Sequence, residues 1–126
     1  MSEHLTLAEV LAIQSDQIER HGGAPGIRDQ GQLEAALYRP QTGYYADLLE
    51  EAAALWESLS QTHPFIDGNK RTAFAALYTF LAINGARITA TAPPATEFLM
   101  SLYEHNAFEF AALIAWLRAN VEMSGN

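Results

Sequence analysis

The chain has 126 residues, of which 49% are hydrophobic and 17% are charged, and this balance is typical of one compact globular domain. We therefore predict a single domain over residues 1–126. Seven basic and fifteen acidic residues leave a net charge of −8, which disfavours nucleic acid as a non-specific partner. Because there is no cysteine, disulfide scaffolds, thiolate zinc sites and cysteine nucleophiles are excluded.

Neither the N-terminus nor any apolar segment indicates export or membrane insertion. Residues 1–4 lack the basic start and the apolar run of a signal peptide. The longest stretch without a charged residue, 72–86, is shorter than the roughly 20 apolar residues that a membrane span requires. We therefore predict a cytoplasmic protein with no membrane contact.

The first predicted element is a helix that begins after Thr6. The Thr6 hydroxyl can cap this helix while Glu9, three residues later, reaches back to complete a capping box. The helix ends at Gly22. Segment 22–31 holds four glycines and a proline, so we predict a turning loop of about ten residues there.

Two further helices are predicted before the middle of the chain. A short one includes residues 33–37 and is broken at Pro40. A longer one spans about 46–62 and ends at His63, because Pro64 disfavours the helical conformation for the residue before it.

Segment 69–83 is apolar on nearly all sides, a pattern typical of a helix surrounded by others. We predict that it is the central buried helix of the fold.

The C-terminal third is predicted to hold a short extended piece and two helices. The extended piece covers about 87–91, and Pro93 then begins a helix that continues to about His105. A second start signal at 106–109 precedes a last helix that ends near Glu122. The predicted fold class is therefore all-α, a single-domain bundle of about six helices around a central buried helix.

Polar and charged residues concentrate in the loop before the predicted central helix, in the order His63-Pro64-Phe65-Ile66-Asp67-Gly68-Asn69-Lys70-Arg71. A helix N-terminus presents unpaired N–H groups and partial positive charge, and Gly68 lets a phosphate approach the backbone closely. Lys70 is the only lysine in the chain, and it lies with Arg71 in the first helical turn. The helix dipole disfavours each cation there by about 0.3–1 kcal/mol. This conflict favours an anionic ligand.

Two further residue types in the same loop suit phosphoryl transfer. The Asp67 carboxylate is a candidate magnesium ligand, because magnesium commonly uses one or two carboxylates together with phosphate oxygens. The His63 imidazole can accept a proton from a hydroxyl near neutral pH. Any one of these residues could merely cap or pack, but capping needs only one polar residue and the loop supplies several.

The loop resembles the signature of the Fic/Doc superfamily, H-x-F-x-[DE]-G-N-x-R-x-x-R in its AMP-transferring Fic branch, and the matching residues are His63, Phe65, Asp67, Gly68, Asn69 and Arg71. Lys70 replaces a glycine of the Fic pattern and Phe74 replaces its second arginine. Both departures are those of the death-on-curing (Doc) toxin branch. Residues 22–37 also resemble the N-terminal signature of Doc-like proteins, so the resemblance spans essentially the whole chain.

The resemblance implies the Fic/Doc fold and a protein kinase that uses ATP and Mg²⁺. By this likeness His63 is the base that activates a target hydroxyl, and Asp67 holds magnesium. The nucleotide phosphates would be bound by Gly68, Asn69, Lys70 and Arg71. The expected reaction transfers the γ-phosphate to a threonine of elongation factor Tu and arrests protein synthesis.

Two alternatives remain open from the sequence. The same loop could serve a nucleotidyl transferase, although Phe74 removes one phosphate contact of the AMP-transferring branch. The chain could also be a non-catalytic module that binds a nucleotide or an antitoxin.

The likeness also implies control by a partner. Self-inhibited Fic proteins carry a [ST]-x-x-x-E-[GN] string, which this sequence lacks. The family instead uses a small Phd-type antitoxin whose tail occupies a groove on the toxin. DNA contacts of such systems belong to the antitoxin, in agreement with the acidic charge of this chain.

Overall fold

The computed structural model describes residues 2–90 and 92–123 of the chain. Within these residues the elements follow in the order α1 (Leu7–His21), α2 (Gln30–Tyr38), a 3-10 turn (Arg39–Gln41), α3 (Leu48–Gln61), α4 (Asn69–Ile83), β1 (Ala86–Ile88), α5 (Ala92–Glu104), α6 (Phe110–Asn120) and β2 (Val121–Met123). The predicted all-α bundle of about six helices is confirmed, with a small two-stranded sheet in addition. None of the described helices has the length and hydropathy of a membrane span.

The first three helices begin at side-chain caps. The predicted capping box of α1 is present, since the Thr6 hydroxyl accepts the N–H of Glu9 at 3.2 Å and the Glu9 carboxylate accepts that of Thr6 at 2.8 Å. The carboxylates of Asp29 and Asp47 cap α2 and α3 in the same way. Because Asp29 starts α2 at Gln30, the loop after α1 is shorter than predicted.

Helices α3 and α4 pack against each other and supply much of the core. The fully buried large side chains include Trp56 and Leu59 of α3 and Leu77 and Phe80 of α4. The prediction that α4 is surrounded on all sides is correct for one face only, because Tyr78 is 55% exposed. The apolar residues on that open face form the wall of a groove.

The C-terminal end differs from the predicted helix that continues to about Glu122. Helix α6 ends at Asn120, and Val121 adopts an extended conformation with φ −123° and ψ 135°. Strand β2 pairs antiparallel with β1, and an ion pair joins Glu122 to Arg87. The partner strand lies about 35 residues earlier, so the pairing replaces a helical turn that local pattern favoured. The extended piece predicted at 87–91 is present only in part, because β1 covers Ala86–Ile88, and Thr91 lies outside the described residues.

Candidate functional site

The loop between α3 and α4, residues 62–68, is anchored by Phe65. Its side chain is only 1% exposed, and its backbone forms an antiparallel bridge with Ile27. The Asn69 side chain accepts the N–H of Phe65 through Oδ1 at 2.9 Å and donates to the Phe65 carbonyl through Nδ2 at 3.0 Å. The Asn69 amide therefore fixes the shape of the loop, while its own backbone N–H lies in the first turn of α4.

Arg28 supports the segment that carries His63. Its Nε donates to the His63 carbonyl at 2.6 Å and its Nη2 to the Thr62 carbonyl at 2.8 Å. The backbone N–H groups of Arg28 and Asp29 both donate to the Pro64 carbonyl. His63 has a φ of +50°, a conformation that is unfavourable for residues other than glycine. These bonds hold it there, with the imidazole exposed.

The role of Arg28 was not predicted from the sequence. Its partners lie 34 and 35 residues away, so no helical or strand periodicity connects them. The only signal was its place in the segment 22–37 that resembles Doc-like proteins.

Asp67 is held by backbone donors on both carboxylate oxygens. Oδ1 accepts the N–H of Gly68 at 2.9 Å and Oδ2 accepts that of Ala24 at 3.3 Å. A Cβ at Gly23 would lie 2.8 Å from Oδ2, so only glycine leaves room for the carboxylate here. Gln14, which is 3% exposed, donates to the Asp67 carbonyl at 3.4 Å. The carboxylate is thus fixed at an exposed position beside the start of α4.

The N-terminus of α4 has no side-chain cap. Its N-cap residue, Gly68, has a φ of +70° and cannot supply one. Helix α6 also lacks a cap of its own, but Glu57 of α3 accepts the N–H of Phe110 at 2.7 Å. Among the helices whose N-caps are described, α4 alone leaves its first N–H groups without a carboxylate or hydroxyl acceptor. The hydroxyl of Thr72, buried in the next turn, also has no partner among the described residues.

The two cations in this turn contact different neighbouring elements. Arg71 donates from Nη2 to the Gly22 carbonyl at the end of α1, at 3.1 Å. The Lys70 ammonium lies 4.0 Å from the centroid of the Tyr103 ring of α5. Neither cation forms an ion pair with a carboxylate within residues 2–90 and 92–123.

Lys70 and Arg71 both line a groove of about 960 Å³ that runs along α4 beside α1. Asp16 and Arg20 of α1 lie at its charged end, and the rest of its wall is largely apolar, with contributions from Ile13, Phe74, Tyr78, Ile88 and Leu99. His63 does not line this groove. The structure therefore unites the predicted phosphate-binding cations in one hollow and places the predicted base on the adjoining loop.

Comparison with known proteins identifies the family of the chain. Residues 4–81, which contain both the 22–37 segment and the loop with its helix, match the Fic/DOC family. The chain belongs to the Fic/Doc family.

Two relatives place this Fic/Doc chain near the Doc branch, as predicted. It is 44% identical over 95 residues to Toxin Doc of Mycolicibacterium smegmatis, with 71% of each protein covered. It is 35% identical over 89 residues to Protein kinase doc of Escherichia phage P1, which covers 68% of this chain and 71% of the phage protein. The identification as a Doc-type member of the family is therefore confirmed.

Proposed function

We propose that the chain is a Doc-type toxin that transfers the γ-phosphate of ATP to a threonine or serine hydroxyl of elongation factor Tu and thereby arrests translation. The proposal rests on one observation, the start of α4, where uncapped N–H groups, Lys70 and Arg71 lie beside the loop that carries His63. The names of the two relatives, Toxin Doc and Protein kinase doc, support the same interpretation. The proposed target implies that the chain acts in the cytoplasm.

The proposed role of the α4 N-terminus is to bind the phosphates. The backbone N–H groups of Asn69, Lys70 and Arg71 lie in the first turn and are directed along the helix axis, where they can donate to phosphate oxygens. The absence of a Cβ at Gly68 permits close approach. Lys70 and Arg71 would neutralise phosphate charge, and an enzyme contributes mainly positioning and charge stabilisation to phosphoryl transfer.

The proposed role of His63 is to accept the proton of the target hydroxyl. As the hydroxyl oxygen forms its bond to the γ-phosphorus, the bond from that phosphorus to the β–γ bridging oxygen breaks and ADP leaves. The proton moves from the hydroxyl to the imidazole. The bonds from Arg28 to the carbonyls of Thr62 and His63 support this assignment, because they fix the backbone from which the ring projects.

The residues present fit a magnesium ion. Each oxygen of the Asp67 carboxylate accepts one backbone N–H and retains a further lone pair for a metal. Among the described residues, no group of three or more histidine or acidic side chains is placed to hold a metal ion. One carboxylate completed by phosphate oxygens and water is the arrangement magnesium commonly adopts. Bound there, the ion would neutralise phosphate charge; Asp67 would hold it.

The groove along α4 suits the tail of a Phd-type antitoxin. Its apolar wall can bury apolar side chains, and the cations at one end can bind a carboxylate. A tail bound there would cover Lys70 and Arg71 and compete with the nucleotide. We expect Ile13→Asp, in the apolar part, to weaken antitoxin binding and leave phosphate transfer unchanged. If Ile13→Asp lowered phosphate transfer as much as antitoxin binding, the apolar part of the groove would not be specific to the antitoxin.

The experiment that tests the proposed reaction uses elongation factor Tu with ATP labelled at either the γ- or the α-phosphorus. We expect the factor to become labelled only by ATP that carries the label at its γ-phosphorus. His63→Ala should abolish it, whereas the matched variant His105→Ala, which removes another exposed histidine, should not. Labelling of the factor by ATP that carries the label at its α-phosphorus would instead support a nucleotidyl transferase. Transfer of neither label by the wild-type chain would contradict an enzyme that acts on this factor.

A further inference from the structure

In the free protein the Lys70 side chain lies against an aromatic ring. Its ammonium lies 4.0 Å from the centroid of the Tyr103 ring, within the range of a cation–π interaction. Tyr103 belongs to α5, 33 residues further along the chain, so this contact joins two helices at the start of α4.

The Tyr103 ring is itself held on two sides. It stacks on Phe108, with centroids 4.6 Å apart and planes 5° from parallel. Its hydroxyl donates to Oγ of Ser60, a residue that is 1% exposed, at 3.2 Å. Burial raises the pKa of the Tyr103 phenol, so the ring remains neutral. Tyr103 therefore presents a fixed, uncharged face to Lys70.

A neutral ring has an advantage over a carboxylate at this position. A carboxylate beside Lys70 would neutralise its charge and compete with a phosphate, whereas a ring face attracts the ammonium and leaves the positive charge available. The contact also restricts a side chain that otherwise loses much rotamer entropy on binding. None of the ion pairs formed within the described residues involves Lys70.

We propose that Tyr103 is a positioning residue that holds the Lys70 ammonium at the start of α4, ready for the phosphates of ATP. This inference rests on the proposed function, because it takes the anion at α4 to be ATP. It adds a residue outside the loop motif and outside the matched segment 4–81.

The contact itself can be measured without nucleotide. Reductive methylation with ¹³C-formaldehyde labels two amines, Lys70 and the N-terminus, and the lower pKa typical of an α-amino group separates them. Methyl groups over a ring face resonate upfield. We expect the methyl signal of Lys70 to lie upfield in the wild type and in Tyr103→Phe. In Tyr103→Leu it should have the chemical shift of an unstructured lysine. A wild-type signal at the chemical shift of an unstructured lysine would show that the contact is not formed.

The positioning role is tested by ATP affinity in the full-length chain. Tyr103→Leu should weaken ATP binding about two- to fivefold, the usual strength of an exposed cation–π pair, and Tyr103→Phe should restore it. In a Lys70→Gln background, Tyr103→Leu should cause no further loss, since the ring acts through the lysine. Tyr38→Leu, which removes an exposed tyrosine elsewhere, is the matched control.

The outcomes separate the two proposals. Two results would overturn the positioning role and leave the proposed function standing. One is that Tyr103→Leu binds ATP as tightly as the wild type does. The other is that Tyr103→Leu weakens ATP binding as much in the Lys70→Gln background as it does in the wild type. A wild-type chain that binds no ATP but shows the upfield signal would refute the proposed function and the role of Tyr103 in it, with the contact itself established.

Discussion

Helices α3 and α4 pack against each other, but their N-termini are built differently. At α3 the Asp47 carboxylate caps the N–H of Glu50 at 3.0 Å, and Glu50 and Glu51 occupy the first turn. At α4 the N-cap is a glycine without a side-chain bond, and the first turn carries Lys70 and Arg71. Acidic residues stabilise a helix start and basic residues destabilise it, so only α3 follows the requirements of stability.

The difference shows how a local exception can mark a site. The chain has fifteen acidic residues with which to cap α4, yet its only lysine and an arginine occupy that turn. Conflicts between a residue and its local structure concentrate at functional sites. We therefore expect changes at α3 to alter stability and changes at α4 to alter ligand binding.

The largest expected effect is that of Arg71→Gln on ATP binding. Loss of a charge-assisted hydrogen bond should weaken affinity by about ten- to a hundredfold, measured by calorimetry. The unfolding free energy of the free protein should change by less than about 0.5 kcal/mol, because the relief of an unfavourable dipole contact offsets the lost bond to Gly22. If Arg71→Gln strongly destabilised the protein and left its ATP affinity unchanged, the start of α4 would have a structural role and not a binding role.

Gly23→Ala is expected to have the next largest effect. An added Cβ would collide with the Asp67 carboxylate at 2.8 Å and displace it, so magnesium-dependent ATP affinity should fall about tenfold. Gly43→Ala is the matched control, because Gly43 also has a positive φ, +82°, but faces open space. Both variants should lose stability from backbone strain. Equal ATP affinity in the two would show that the position of Asp67 does not matter for binding.

Asp47→Ala should affect stability alone. Removal of the cap of α3 should lower the unfolding free energy by about 1 kcal/mol, measured by urea denaturation. ATP affinity should stay at the wild-type value. A loss of affinity here would mean that the two helix starts are not independent.

The smallest expected effect is the pH dependence of that cap. The hydrogen bond from the Glu50 backbone, together with Arg118, lowers the pKa of Asp47. A lowered folded-state pKa gives stability that is present above the ordinary aspartate value and is lost as pH falls through the folded value. The stability advantage of the wild type over Asp47→Asn should thus be constant above about pH 5 and shrink in acid. A constant difference down to pH 3 would contradict the pKa shift.

Local pattern predicted those parts of the fold that local interactions determine. The capping box of Thr6 and Glu9 and the stop at Pro64 involve residues a few positions apart, and both lie where expected. The end of α6 was mispredicted because Val121–Met123 pairs with a distant strand, which no local window contains. The open face of α4 was missed because a groove wall and a core face are equally apolar in sequence.

The candidate site divides in the same way. Lys70 and Arg71 could be assigned to one helix turn from their spacing alone. Two other contacts could not be predicted in this way, because each joins residues more than 30 positions apart. One is the bond from Arg28 to the His63 carbonyl, and the other is the contact of Lys70 with the Tyr103 ring. Asn69 is predicted to bind the phosphates, and in the free protein its side chain bonds to the backbone of Phe65. Its proposed contribution to phosphate binding is therefore its backbone N–H.

The most direct test of the anion site is a titration of the ¹⁵N-labelled chain with ATP and magnesium, followed by NMR. We predict that the backbone N–H signals of Asn69, Lys70 and Arg71 shift strongly and saturably, while those of Glu50 and Glu51 at the capped start of α3 stay in place. Unmoved signals at the start of α4 at saturating ATP would contradict the account.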